Sequence, residues 1–195
     1  MNNRNLLNSG GSAAHSGIGY QDRVAAWFCV QALAEQEASP LWKWPSNTTI
    51  QFVRCETEQP VDDVMVKASH QGIAYINVKR SLSASQAENS DFSSALAQFT
   101  RQFIASINQI AGRRDWERPL NQTLDRFVLI TPSSSSNAIT RSLPIILDRL
   151  RTNLLSQGLD DAAQTVAEHE ILGKVKIHLQ REWLAVTGGQ PTEAI

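Results

Sequence analysis

Cysteine is nearly absent from this chain: two in 195 residues, Cys29 and Cys55. Two thiols so far apart make neither a disulfide framework nor a metal spacing, so both read as buried, reduced thiols of a cytoplasmic protein. Histidine is as sparse, with His15, His70, His169 and His178 scattered singly, which argues against a histidine metal site or a Ser-His-Asp triad. No apolar run approaches the ~20 residues of a membrane span, and the polar start lacks the apolar core of a signal peptide. An excess of either charge is missing too. Lys and Arg total 18 against 19 Asp and Glu, a formal net charge of −1, so nothing draws the whole chain to nucleic acid and any such surface must be a local patch. No internal repeat is visible. No Gly-rich loop with a phosphate-binding lysine occurs, and Pro132-Ser133-Ser134-Ser135-Ser136-Asn137 reads as turn and helix-cap chemistry.

What remains is an ordinary globular balance, 42% hydrophobic and 19% charged, in a length that suits one domain with a helical appendage. Met1–Ser16, rich in Asn, Ser and Gly, reads as a flexible tail before a domain spanning 17–186. Tyr20, Val24, Trp27, Phe28, Val30 and Leu33 recur at helical spacing and predict an amphipathic helix from Gly19 to about Glu37. Thr48–Cys55 reads as a strand, Leu41–Pro45 as a tryptophan pair sealing a core edge, and Asp91–Gly112 as a helix with one apolar face. Arg126–Thr131 reads as a strand covered on both faces. Ala138–Leu155 reads as a helix, and Asp160–Trp183 as helix broken near Gly173. Residues 187–195 read as a linker and the start of a truncated following module.

The stretch from Glu56 to Arg80 carries the chemistry. Val64–Ala68 and Ile73–Lys79 alternate with period 2, and a three-residue loop His70-Gln71-Gly72, with the glycine left-handed, pairs Ser69 with Ile73. Counting back sets Met65 opposite Asn77 and Asp63 opposite Lys79, so Asp63, Asn77 and Lys79 converge on one face. A carboxylate there can bind Mg²⁺, with Mn²⁺ as its substitute, through oxygen. The Val78 carbonyl and, through water, Glu56 or Asp62 can add ligands. The Lys79 ammonium can orient a water and offset charge growing on a phosphate. The densest basic cluster, Arg113, Arg114 and Arg118, reads as a solvated charge run or as phosphate contacts.

Asp63 followed by Asn77-Val78-Lys79 resembles the PD-(D/E)xK motif of restriction-endonuclease-like nucleases, most closely the branch whose middle acid is an amide. Gly17-Ile18-Gly19-Tyr20-Gln21, Cys55-Glu56 with Pro60-Val61-Asp62-Asp63-Val64, and Val78-Lys79-Arg80-Ser81-Leu82 are similar to the words around that motif. That branch supplies the N-terminal DNA endonuclease effector domain of bacterial anti-phage defence proteins. Asn77 departs from the branch's Gln by one methylene and carries no charge. The resemblance implies an α/β fold with a central mixed sheet flanked by helices, and a metal-dependent endonuclease on double-stranded DNA. It also implies Gln21 beside the site, in contact with the site or with DNA, a C-terminal NTPase or sensor module, and a homo-oligomer; Arg80, next to Lys79, reads as a DNA contact from its charge. Two rivals stand against it: a catalytically degenerate nuclease fold that binds DNA or oligomerises, and a plain interaction domain.

Overall fold

The computed structural model describes residues 9–38, 41–107, 114, 116–153 and 159–188. The order of elements is α1 (Ser9–Leu33), β1 (Ile50–Cys55), β2 (Val64–Ala68), β3 (Ile73–Val78), α2 (Asp91–Ile107), β4 (Arg126–Ile130), α3 (Leu143–Asn153) and α4 (Val166–Thr187). The protein is mixed α/β. It divides into two compact units, the first made of Met1–Arg80 with Ser106–Ile130 and the second of Ser81–Ala105 with Thr131–Ile195, where the sequence suggested one domain over 17–186.

The first unit holds the sheet, in strand order β1-β2-β3-β4. β1, β2 and β3 are antiparallel neighbours, and β4 adds parallel to β3. Alternation along the strands sorts their side chains onto two faces. Val64, Val66, Ala68, Ala74, Ile76 and Val78 form one core with Ala25 and Phe28 of α1 and with Trp44. Full burial of a side chain the size of Phe28 stabilises by about 2 kcal/mol. α1 begins at Ser9, ten residues before the predicted start. Once packed residues have nucleated a helix, each added residue needs only one more hydrogen bond, so a polar stretch can extend it. Its apolar stripe is narrower than the spacing suggested, because Trp27, Val30 and Leu33 are exposed. Trp44 is buried, and its indole N–H donates to the Leu124 carbonyl at 2.8 Å. β4 is an edge strand of half-buried residues, not one covered on both faces.

The hairpin register differs from the predicted one by two residues. Lys67 pairs with Ile73, Met65 with Tyr75 and Val64 with Ile76. The Ala68 N–H donates to the Gly72 carbonyl at 2.8 Å, so the turn is Ser69-His70-Gln71. Gln71 (φ 70°), not Gly72, takes the left-handed conformation. Gly72 is required for space instead: a Cβ there would stand 2.2 Å from His70 Cε1 and 2.7 Å from the Leu124 carbonyl oxygen. A two-residue shift keeps every strand side chain on its face, while Asp63 and Lys79 lie just beyond the paired residues, before β2 and after β3.

The second unit is helical. Phe92, Ala95 and Leu96 of α2, Ile139, Ile146 of α3, and Ile171 and Leu172 of α4 are among its buried apolar residues. A π-helical turn, Ala138–Ser142, leads into α3. α4 opens with a reciprocal cap in which the Thr165 hydroxyl accepts from Glu168 N–H and the Glu168 carboxylate accepts from Thr165 N–H. It then runs unbroken through Gly173, where a break was predicted, because one glycine costs a helix only about 1 kcal/mol. Lys174 and His178 reach back to the carbonyls of Ala84 and Ser85, at 3.2 and 2.8 Å. No helix among the described residues is long and apolar enough to cross a membrane.

Candidate functional site

The predicted site residues of the hairpin and of α1 meet at one end of the sheet in the first unit. β1 ends at Cys55, and Glu56 takes a left-handed backbone (φ 49°) that turns the chain out of the strand. The following loop closes on itself: Thr57 N–H donates to the Asp62 carbonyl at 3.0 Å, and Val61 beneath it is fully buried. This delivers Asp63 to the start of β2, where its Oδ2 accepts the Val78 N–H at 2.7 Å. The main chain of β3 thereby fixes the carboxylate. From α1, Gln21 Nε2 donates to Glu56 Oε1 at 2.8 Å and to the Asp63 carbonyl at 3.1 Å. Lys79, half-buried, follows β3 and is anchored by its N–H on the Ile130 carbonyl at 2.9 Å.

The electrostatics tie the group together. Burial raises the proton affinity of Asp63 above the ordinary carboxylate range. The Val78 N–H and the Lys79 charge oppose that rise, and Asp62 and Glu56 add to it. Asp63 therefore lies within electrostatic reach of Lys79, Asp62 and Glu56. Asn77 is completely buried, whereas Asp63 and Lys79 are half-buried.

No family model, curated protein or solved structure matches this chain.

Among the described residues, no three His, Cys, Asp or Glu side chains come together to hold a metal. A Mg²⁺ site asks less of the protein, since one or two carboxylates suffice when water and substrate phosphate complete the octahedron. Asp63 keeps Oδ1 beyond its bond to Val78, and a cation there would offset the negative charge that Asp62 and Glu56 place on Asp63. Asp63, Glu56 and the Val78 carbonyl are oxygen donors, the ligand chemistry an ion of that kind takes.

The basic cluster is differently employed. Arg118 forms a two-pronged pair with Asp125, at 2.6 and 2.9 Å, and donates to the Gln71 carbonyl at 2.9 Å. Asp125, itself buried, also accepts from the Ile73 and Asn121 N–H groups. Arg118 is thus a clamp holding the hairpin turn, and the phosphate-contact expectation for it meets a side chain already engaged. Arg114 pairs with Glu58 and Glu117, Arg80 is exposed, and Arg113 lies outside the described residues. Two residues that sequence reasoning passed over complete this region: Trp116, buried, and Arg54 of β1, whose guanidinium is 4.5 Å from the centre of the Trp116 ring. Nothing in their spacing signalled it, because the stack joins residues 62 apart in sequence and depends on the fold.

Proposed function

We propose that this chain is a metal-dependent endonuclease hydrolysing phosphodiester bonds of double-stranded DNA. We further propose that it is a cytoplasmic effector domain of a larger anti-phage defence protein, whose NTPase or sensor module gathers copies into a homo-oligomer. The observation that carries the reading is the Asp63 carboxylate, pinned by the Val78 N–H at 2.7 Å within electrostatic reach of Lys79. A mixed four-stranded sheet with α1 packed on it is the part of the protein that supports the restriction-endonuclease-like reading. In this reading Asp63, with Glu56 and the Val78 carbonyl, holds Mg²⁺ or Mn²⁺, which when bound supplies Lewis acidity at the phosphate. Lys79 orients the attacking water and offsets the charge that grows on the phosphoryl oxygens. Gln21 keeps Glu56 and the Asp63 main chain in register.

Single-turnover cleavage of linear duplex in Mg²⁺ tests this, under conditions that promote oligomerisation. Lys79→Ala should lower the rate on the order of 10²-fold or more, since it removes stabilisation used fully only in the transition state. Equal rates in the wild type and Lys79→Ala would move the chemistry elsewhere. The enclosed, uncharged Asn77 favours one second reading, a degenerate nuclease fold that holds DNA without cutting it. Duplex retention with no cleavage in either metal would establish that reading instead.

A further inference from the structure

A carboxylate on the loop before Asp63 sits where an anion would. Glu58 pairs with Arg114, its carboxylate accepting a hydrogen bond from that guanidinium. Two guanidiniums lie over one ring, Arg54 at 4.5 Å and Arg114 at 5.6 Å from the centre of Trp116. Trp116 is buried and offers a fixed platform. A guanidinium lying on an aromatic face keeps its N–H edge free for an oxyanion and is already ordered before the anion arrives.

Arg54 is exposed, and among the described residues it has no carboxylate at ion-pair distance. The Arg114–Glu58 pair is exposed on both sides, 40% and 70%. Such a pair contributes little to stability, so an incoming anion can displace Glu58 at small cost. The place in the fold is also significant. Arg54 pairs directly with Met65 of β2, two residues after Asp63 in sequence, and Glu58 lies on the loop that leads from β1 to Asp63.

We propose that Arg54 and Arg114, stacked on Trp116, form a second phosphate contact for the DNA backbone beside the Asp63–Lys79 site, and that Glu58 occupies it until DNA arrives. The assignment rests on the nuclease reading for its ligand, yet it is a statement about binding and is decided without cleavage. The probe is a fluorescent linear duplex, titrated in metal-free buffer over a range of salt concentrations.

Arg54→Gln should weaken binding and flatten the salt dependence by about one unit of slope. Arg54→Lys, which keeps the charge, should retain the slope. Glu58→Gln should tighten binding beyond Glu35→Gln, the same charge change at an exposed position outside this region. An unchanged slope in Arg54→Gln, a slope lost in Arg54→Lys as well, or equal affinities for the two glutamine variants would each overturn the proposal. A wild type that binds duplex with the expected Arg54 dependence yet never cleaves would remove the nuclease reading and leave this contact standing. A wild type that cleaves while Arg54→Gln binds and titrates as it does would do the reverse.

Discussion

Burial of the Asp63 carboxyl raises its pKa, although the Val78 N–H and Lys79 pull the other way. A carboxyl whose folded pKa lies above its unfolded value favours folding while protonated and loses that contribution as pH rises through the folded pKa. Asp63→Asn removes the charge and keeps an amide oxygen for Val78. Its melting temperature should rise relative to the wild type between acid and neutral pH, while cleavage is lost; a melt that drops at neutral pH would show that the carboxylate supports the fold. His70 works in the opposite direction. Burial lowers its pKa from 6.5, Arg126 adds to that, and Asp125 opposes it. Its Nδ1 accepts the Gly72 N–H at 2.9 Å, which requires the neutral ring. The unfolded chain therefore binds the proton better, and stability should fall as pH drops below about 6.5. His70→Asn should reduce that dependence in urea unfolding measured across the window. Arg118→Ala would strand buried Asp125 and should cost about 3 kcal/mol, read in the same denaturation experiment.

Elements were more legible than the residues between them. The period-2 runs located β2 and β3, and the near-continuous apolar run located β4, because strand periodicity is written locally. The register was not legible, since the turn is decided by what surrounds it. His70 folds its ring over Gly72 beside the Leu124 carbonyl, and a composition of His, Gln and Gly cannot announce that contact. Gly72→Ala should cost on the order of 1–3 kcal/mol by overpacking, although Gly72 is not left-handed; urea unfolding of the variant measures it. The unbroken α4 was missed for a related reason, because the cap at Thr165 and the anchors at Lys174 and His178 outweigh one glycine. Thr165→Ala should lower stability by about 1 kcal/mol, seen as a shifted denaturation midpoint. The motif words drew attention to Asp63 and Lys79, which the fold places beside the Val78 N–H and the Ile130 carbonyl. The engagement of Arg118 with Asp125, and of Arg114 with Glu58, depends on partners 7 and 56 residues away and left no local signature.

For the whole molecule, a net charge of −1 means that the proposed DNA affinity would have to come from a few local cations. Arg80→Gln should flatten the salt dependence of duplex binding by about one unit, and a wild-type slope near zero would deny that the chain contacts phosphates at all. The first unit is discontinuous in sequence: the chain leaves it after Arg80 and returns at Ser106. The antiparallel strands β1, β2 and β3 join neighbours through short loops, whereas the parallel pairing sets Val78 against Ile130, across a loop of some fifty residues. Closing such a loop loses chain entropy before any contact repays it, and long-range parallel pairing is slow for that reason. Folding should therefore form the three-stranded meander under α1 early, with the Lys79 main-chain anchor on Ile130 arriving last. Until β4 docks, the outer edge of β3 is an open strand, so the refolding chain is most prone to aggregate in the interval just before the Lys79 main chain is fixed.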